Sequence, residues 1–207
     1  MFEGIVRRIR FGSLAPLFER RVVSEWEKQG RPIPPPGTVK RKMILEFARR
    51  FNCRTLVETG TYKGDTLWAL RKDFDRLYSI ELDQTLHAAA AKRFAGMSHI
   101  TLIPGDSGEK LRQVLDLLEE KAIFWLDGHF CGPGTAMGTE EAPVMREIQA
   151  VFDHQTHDHV VLLDDARLFV GRAGYPKVDD LDAWVQARRS GWVCEVVADV
   201  VRVYPGL

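Results

Sequence analysis

The stretch TLVETGTYKGDTLWALRKDFDRLYSIE, residues 55–81, contains the local pattern from which the fold follows. It has two short runs, 55–58 and 77–81, that are almost continuously apolar, as strands buried on both faces are. Between them lies a turn with Gly60 and Gly64, and residues 65–73 after it predict a helix. A strand, a helix and a second strand at this spacing predict a βαβ unit, in which the two strands are parallel.

The same alternation extends in both directions from this unit. Ile44, Phe47, Ala48 and Phe51 recur at helical spacing before it, and three further strands are predicted after it, ITLIPG (100–105), AIFWLD (122–127) and VVLLDD (160–165). Helices are predicted between and after these strands, over 84–95, 108–120, 141–152 and 179–190. The final stretch, WVCEVVADVVRVYP (192–205), predicts two strands joined by a turn near Ala198–Asp199, which is too short for anything but an antiparallel pair. We therefore expect an α/β fold, a three-layer αβα sandwich with a mostly parallel, doubly wound, seven-stranded sheet and a C-terminal antiparallel strand.

The first residues of the chain differ from the rest in charge and composition. The 207 residues carry no net formal charge, but residues 1–42 hold ten basic residues against four acidic ones. Helical patterns over 2–10 and 14–29 lead into GRPIPPPG (30–37), in which the prolines favour an extended linker. We expect a basic helical N-terminal arm and proline-rich linker, 1–37, and a main domain over 38–207. Apolar side chains interleaved with the basic ones favour packing of the arm on the domain or on a second copy in a homodimer, although nucleic acid and an anionic membrane are open alternatives.

The remaining composition excludes several classes of protein. Three widely spaced cysteines, Cys53, Cys131 and Cys194, make a disulfide framework and a zinc knuckle poor interpretations. There is no signal-type apolar run at the N-terminus and no stretch of the length needed to span a bilayer. We expect a cytoplasmic protein without a membrane span, and the overall charge gives no reason to expect nucleic acid as its partner.

Acidic residues stand at the ends of all five central strands, where open α/β sheets bind their ligands. A nicotinamide dinucleotide is disfavoured, because Tyr62 occupies the region where the backbone must approach a pyrophosphate and Glu58 would place a carboxylate near the phosphates. A cationic ligand without phosphates fits better. The acidic positions are Glu58, Glu81, Asp106, Asp127 and the pair Asp164-Asp165.

In this order, these residues resemble the motifs of the class I, Rossmann-like S-adenosylmethionine (SAM) methyltransferases. ETGTYKGDT (58–66) is similar to motif I of that family, and Glu81 matches the acidic residue that binds the ribose hydroxyls. Asp106-Ser107 matches the adenine-side motif, and Asp127 the motif at the methionine end. The resemblance implies SAM as cofactor, bound by Glu58, Thr59, Gly60, Thr61, Tyr62, Gly64, Thr66, Glu81, Leu82, Asp106, Ser107 and Asp127.

Within that family, WLDGH (125–129) and LLDDAR (162–167) resemble the metal-dependent small-molecule O-methyltransferases of the macrolide-sugar and catechol types. The resemblance implies that Asp127, Asp164 and Asp165 bind Mg²⁺, or Mn²⁺ or Ca²⁺, which prefer such oxygen ligands. It also implies O-methyl transfer to a small hydroxylated acceptor. The catechol-type enzymes have a lysine base where this chain has Phe130, so His129, with Asp127, is the candidate catalytic residue.

Structural and functional alternatives remain open at this stage. The residues around Gly60 also suit an ordinary strand-to-helix turn, and Asp164 and Asp165 can share one ion only if the strand is already turning there; otherwise one of them pairs with Arg167 or caps the next segment. Three histidines ahead of the fifth strand, His154, His157 and His159, are expected to face solvent. Trp68 and Trp125 are expected to lie in the core. The functional alternatives are a metal-independent methyltransferase, a different enzyme on the same sheet such as a nucleotide-dependent oxidoreductase, and a SAM-binding module without turnover.

Overall fold

A computed structural model describes residues 15–128 and 143–206, and it contains one seven-stranded sheet in the order β3-β2-β1-β4-β5-β7-β6. The strands are β1 (Thr55–Thr59), β2 (Arg76–Glu81), β3 (Ile100–Pro104), β4 (Ala122–Leu126), β5 (Val160–Leu163), β6 (Trp192–Val197) and β7 (Val200–Pro205). The first five pair in parallel, whereas β7 pairs antiparallel with both β5 and β6. The fold class predicted from the sequence is confirmed.

Helices cover both faces of this sheet. They are α1 (Ala15–Lys28), α2 (Gly37–Arg50), α3 (Asp65–Leu70), α4 (Gln84–Arg93), α5 (Ser107–Leu115), α6 (Val144–Asp153) and α7 (Val178–Arg188), with a short 3₁₀ turn at Ala166–Leu168. Successive strand residues point to opposite faces, so Leu56 packs in a core with α2, α3 and α4, while Val57 packs in a second core with α5, α6 and α7. The three layers place the ends of the parallel strands along one edge of the sandwich.

The last two strands close the sheet through a tight turn. Ala198 and Asp199 have φ values of +50° and +62°, which is the conformation of a two-residue type I′ hairpin. This turn brings Asp199 next to the start of the 3₁₀ turn, where the backbone N–H of Arg167 donates to its carboxylate at 2.8 Å. The hairpin therefore lies against the segment that follows β5.

Helix α1 packs against α2 and is joined to it by polar contacts. The Arg41 guanidinium donates to Glu19 at 3.1 Å and to the Thr38 hydroxyl at 3.0 Å. Trp26 is buried, and its ring N–H donates to the Pro32 carbonyl at 2.8 Å. The division into an arm over 1–37 and a domain over 38–207, the homodimer and the cytoplasmic location stay predictions. No helix within the described ranges is long and apolar enough to cross a membrane.

The prediction that the three histidines face solvent is wrong for His159. Its side chain is 1% exposed, because its ring satisfies buried polar groups at the amino ends of β4 and β5. Nδ1 accepts from the backbone N–H of Ala122 at 3.1 Å, and Nε2 lies 2.8 Å from Nδ1 of His154. Trp125 is in the core as predicted, whereas Trp68 packs on the core with part of its ring exposed.

Candidate functional site

The acidic strand ends lie side by side along the carboxyl edge of the sheet. The strand order places Asp106, after β3, next to Glu81 at the end of β2, and Asp127, after β4, between β1 and the Asp164-Asp165 pair after β5. Residues that are up to 107 positions apart in the sequence, Glu58 and Asp165 among them, thus belong to one edge. This is the place where open α/β sheets bind ligands.

The turn after β1 depends on two glycines in the left-handed region. Gly60 has φ +79°, and a Cβ built on it would lie 2.5 Å from the carbonyl oxygen of Asp127. Gly64 has φ +68°, and its Cβ would lie 2.7 Å from the Phe94 ring. The close approach at Gly60 is therefore to the end of β4, whose Asp127 N–H also donates to the Thr59 hydroxyl at 3.1 Å. The turn ties the motif I residues to Asp127.

Beneath this turn, Glu58 ends a buried chain of hydrogen bonds. The Ser79 hydroxyl donates to Glu58 at 2.7 Å, and it lies 2.6 Å from the Thr61 hydroxyl, which must then donate to Ser79. Burial raises the pKa of Glu58 to about 8, although hydrogen bonds from Ser79 and Thr66 act in the opposite direction. Glu58 is 2% exposed, so it supports the turn from inside.

Glu81 is held in one orientation by two backbone amides. The N–H of Tyr62 donates to its Oε2 at 2.7 Å, and the N–H of Asp83 donates to its Oε1 at 2.9 Å. Each carboxylate oxygen can accept more than one hydrogen bond, so both retain capacity for a ligand hydroxyl. Tyr62, at φ +48°, presents a half-exposed ring beside it, and Leu82 is half-buried. The carboxylate is thus preorganised at the end of β2.

Asp106 and Ser107 begin helix α5. The Asp106 carboxylate accepts from the backbone N–H of Gly108 at 2.8 Å, which makes Asp106 the N-cap of this helix, and Ser107 is buried. Arg146, from α6, lies 3.3 Å from Asp106 and packs over Gly108. A capping role and an ion pair with Arg146 are therefore present at Asp106, and capping need not exclude a contact with a ligand.

At the end of β5, a lysine from α2 lies between the two aspartates. Nζ of Lys40 is 2.5 Å from Oδ2 of Asp164 and 3.4 Å from Oδ1 of Asp165. The strand is already turning at this point, since Asp165 has φ +59° and its N–H donates to Asp164 Oδ1 at 2.8 Å. Arg167 binds Asp165 at 2.8 Å and also forms an ion pair with Asp199.

This arrangement does not fit the divalent cation predicted at Asp127, Asp164 and Asp165. The Lys40 ammonium takes the space between two of the three carboxylates, and Arg167 takes the other side of Asp165. No group of three or more His, Cys, Asp or Glu residues in the described parts of the chain is arranged to hold a metal ion. The physical reason is that neighbouring carboxylates require positive charge, and here side chains supply it.

Asp127 lies close enough to this cluster for its ionisation to depend on it. Burial raises the pKa of Asp127 well above its ordinary value, the Asp164 carboxyl raises it further, and Lys40 lowers it. The other candidate catalytic residue, His129, lies outside the described residues. The catalytic assignments therefore stay predictions.

Glu147, on α6, is a second buried carboxyl at this edge. Burial raises its pKa to about 7 despite hydrogen bonds from Ser107 and Thr59, and its Oε1 has no hydrogen-bond partner in the described parts of the chain. With Gly128 and Asp164, Glu147 lines a small cavity that is completed by Leu126, Pro143, Val144 and Tyr175. The cavity lies between α6 and the ends of β4 and β5.

Neither Lys40 nor Glu147 belongs to the sequence motifs described above, although the position of each in its helix indicates a buried charge. Lys40 precedes the buried Ile44 by four positions, and Glu147 lies between the buried Val144 and Ile148. A charged residue in phase with the apolar face of a helix must enter the core and therefore needs a polar partner there.

The strand order, the antiparallel β7 and the helices on both faces define the Rossmann-like fold of the class I methyltransferases. Among solved structures, the methyltransferase PaMTH1 of Podospora anserina, bound to S-adenosylhomocysteine (SAH), matches with a TM-score of 0.57 and 17% identity over 90% of this chain and 87% of that chain. The O-methyltransferase TomG of Streptomyces achromogenes, in complex with SAM, matches with a TM-score of 0.53 and 17% identity over 91% and 89%. An O-methyltransferase of Bacillus cereus, in complex with SAH, matches with a TM-score of 0.56 and 12% identity over 90% of each chain.

No family model and no curated protein sequence matches this chain. At these identities the structural matches establish the common fold, and the activity has to be argued from the site.

Proposed function

We propose that this protein is a SAM-dependent methyltransferase that transfers a methyl group to a hydroxyl oxygen of a small acceptor. The observation that carries the proposal is the Glu81 carboxylate, buried at the end of β2 and aimed by the N–H groups of Tyr62 and Asp83. A carboxylate with free acceptor capacity on both oxygens suits the two neighbouring hydroxyls of a ribose. The three neighbours described above, which share the fold, are methyltransferases bound to SAM or SAH, in agreement with this proposal.

The remaining residues of the edge fit the same cofactor. When bound, SAM would supply an electrophilic methyl group, and its transfer to the acceptor oxygen would leave SAH and release the hydroxyl proton. Gly60 and Thr61 would lie beneath the methionine part, and Asp106 and Ser107 beside the adenine. We propose Asp127 and His129, the candidate catalytic residues named from the sequence, as the groups that accept the proton. The acceptor would lie on the side of Asp164 and Glu147, because carboxyl groups there favour a hydroxylated acceptor that donates hydrogen bonds.

A calorimetric titration with SAH tests the cofactor. We expect micromolar binding by the wild type, and at least about a tenfold loss in Glu81→Gln, because a charged hydrogen bond is worth about 1.5–3 kcal/mol. The matched control is Glu119→Gln, the same substitution at an exposed position beyond α5, which should bind as the wild type does. Absence of SAH binding by the folded wild type would contradict the proposal.

A turnover assay separates an enzyme from a binding module. Methyl-labelled SAM is incubated with phenols and sugars that carry free hydroxyls, and label on the acceptor oxygen is the expected result. SAH binding without transfer to any of these compounds would favour the module.

A further inference from the structure

Lys40 is built into the site from a part of the chain far from the other site residues. It lies in the first turns of α2, separated by 124 residues from Asp164 in the sequence, and its side chain is 17% exposed. Asp164 and Asp165, which it contacts, are 3% and 10% exposed. The ion pair is therefore mostly shielded from water but is still open on one side.

The charges around Lys40 explain why it is held there. Carboxylates at this depth are costly unless they are paired, and the Asp164-Asp165 turn places two of them on successive residues. Lys40 contacts both, and Arg167 binds Asp165 and Asp199, so side chains already supply the positive charge that this group requires. Both contacts of Nζ are with carboxylates, which favour the ammonium form of the amine.

The ammonium also retains a donor. Lys40 has three N–H groups and two described acceptors, Asp164 and Asp165, and no third acceptor is present within residues 15–128 and 143–206. The carboxylates fix the position of Nζ, and the third N–H remains for an oxygen of a bound molecule. A positive group that is preorganised in this way stabilises negative charge that develops on an oxygen.

We propose that the Lys40 ammonium is the fixed positive charge of this site in place of a divalent cation, and that it donates to the acceptor oxygen of a metal-independent methyl transfer. This inference rests on the proposed function for the identity of the reaction. The occupation of the space between Asp164 and Asp165 by Nζ does not depend on it.

Titration with Mn²⁺ alone, in the absence of SAM and acceptor, tests the inference. Calorimetry should detect no saturable Mn²⁺ binding by the wild type up to about 1 mM, the weak end of protein sites for such cations. Lys40→Ala leaves the carboxylates without the ammonium, and we expect it to bind Mn²⁺ at least about tenfold more tightly than the wild type. The same addition should raise the melting temperature of Lys40→Ala and leave that of the wild type unchanged.

Lys42→Ala, which removes an exposed lysine from the same helix, is the matched control and should behave as the wild type. If Lys40→Ala does not fold, Lys40→Gln keeps most of the side-chain length without the charge and replaces it. Saturable Mn²⁺ binding by the wild type that Asp164→Asn abolishes would overturn the inference. Equal Mn²⁺ affinities of the wild type and the folded Lys40 variants would overturn it as well.

The test of acceptor binding uses the methyl transfer itself. With an acceptor found in the turnover assay, EDTA should leave the rate unchanged, whereas Lys40→Gln should lower it at least about tenfold with little change in SAH affinity. A rate that EDTA abolishes, or that Lys40→Gln leaves intact, would overturn the inference. A failure of SAH binding in the wild type would instead overturn the proposed function, and the Mn²⁺ titrations would still decide what occupies the space between the aspartates.

Discussion

The buried Glu58 makes the stability of the protein depend on pH in a direction opposite to that of a salt-bridged carboxylate. Its pKa of about 8, against an ordinary value of 4.5, means that the folded protein keeps a proton that the unfolded chain has released. The free energy of unfolding therefore falls by about 1.4 kcal/mol for each pH unit within that window. From pH 5.5 to pH 7.5 the contribution of Glu58 to the free energy of unfolding falls by about 2.5 kcal/mol, because the slope decreases close to the folded pKa.

The substitution Glu58→Gln isolates this contribution. Glutamine has the same shape and does not ionise, so its pH dependence lacks the part that comes from Glu58. We expect the difference in the free energy of unfolding, wild type minus variant, to fall by about 2.5 kcal/mol between these two pH values. Urea unfolding at intervals of half a pH unit, without cofactor, measures it. The difference in unfolding free energy at a single pH also contains the contacts of the glutamine amide, so only its change with pH reports on Glu58.

Glu46→Gln provides the control, since it makes the same chemical change on the exposed side of α2. A difference between wild type and Glu58→Gln that does not change with pH would refute the reasoning. It would mean that Glu58 is already ionised in the folded protein at pH 5.5 and that the hydrogen bonds from Ser79 and Thr66 outweigh its burial.

Two further substitutions test other parts of the fold. Gly60→Ala should lower the free energy of unfolding by at least about 2 kcal/mol, because its Cβ would meet the Asp127 carbonyl at 2.5 Å. Gly96→Ala is the control, because Gly96 has φ +83° and nothing within 4 Å of its Cβ position, so this substitution introduces backbone strain without a clash. Equal losses of the two variants in urea unfolding would contradict the role of the close approach at Gly60. The pKa of His159 is lowered to about 3, mainly by burial, so below pH 6.5 the unfolded chain binds a proton there that the folded protein does not. When the pH is lowered from 6.5 to 5, the free energy of unfolding of the wild type should therefore decrease by about 2 kcal/mol more than that of His159→Asn. Parallel pH profiles of the two proteins would show that His159 is protonated in the folded protein.

The sheet could be predicted from the sequence because its signals are local. Each parallel strand has four to six residues and contains neighbouring apolar side chains, and the turn at Ala198–Asp199 is short enough to dictate an antiparallel pair. The strand ends differ only slightly from the prediction: β5 ends at Leu163, because Asp165 adopts a left-handed conformation and leaves the strand. The edge that carries Glu58, Glu81 and Asp127 follows from the same pattern, since parallel strands end on one side.

Of the basic partners of Asp164 and Asp165, Arg167 is close in the sequence and was an open alternative there, whereas Lys40 could not be predicted in the same way. Three aspartates at two strand ends are compatible with a metal ion or with basic side chains, and the choice depends on Lys40, which approaches from a helix more than a hundred residues away in the sequence. His159 is a similar case. Its burial follows from the Ala122 N–H, a partner 37 residues distant that no local pattern indicates.

The carboxyl edge of the sheet therefore contains two groups of acidic residues, one in ion pairs and one buried with raised pKa values. Asp164 and Asp165 are reached by Lys40 and Arg167 and form ion pairs. Among residues 15–128 and 143–206, no basic side chain is in hydrogen-bond contact with the buried Glu58 and Glu147, and burial raises their pKa values to about 8 and about 7. A protonated carboxyl donates one hydrogen bond and adds no charge, so the site does not collect the full negative charge that its sequence suggests. With Lys40 and Arg167 in place, the edge offers hydrogen-bonding groups and fixed positive charge, which is what the proposed metal-independent transfer to a hydroxylated acceptor requires.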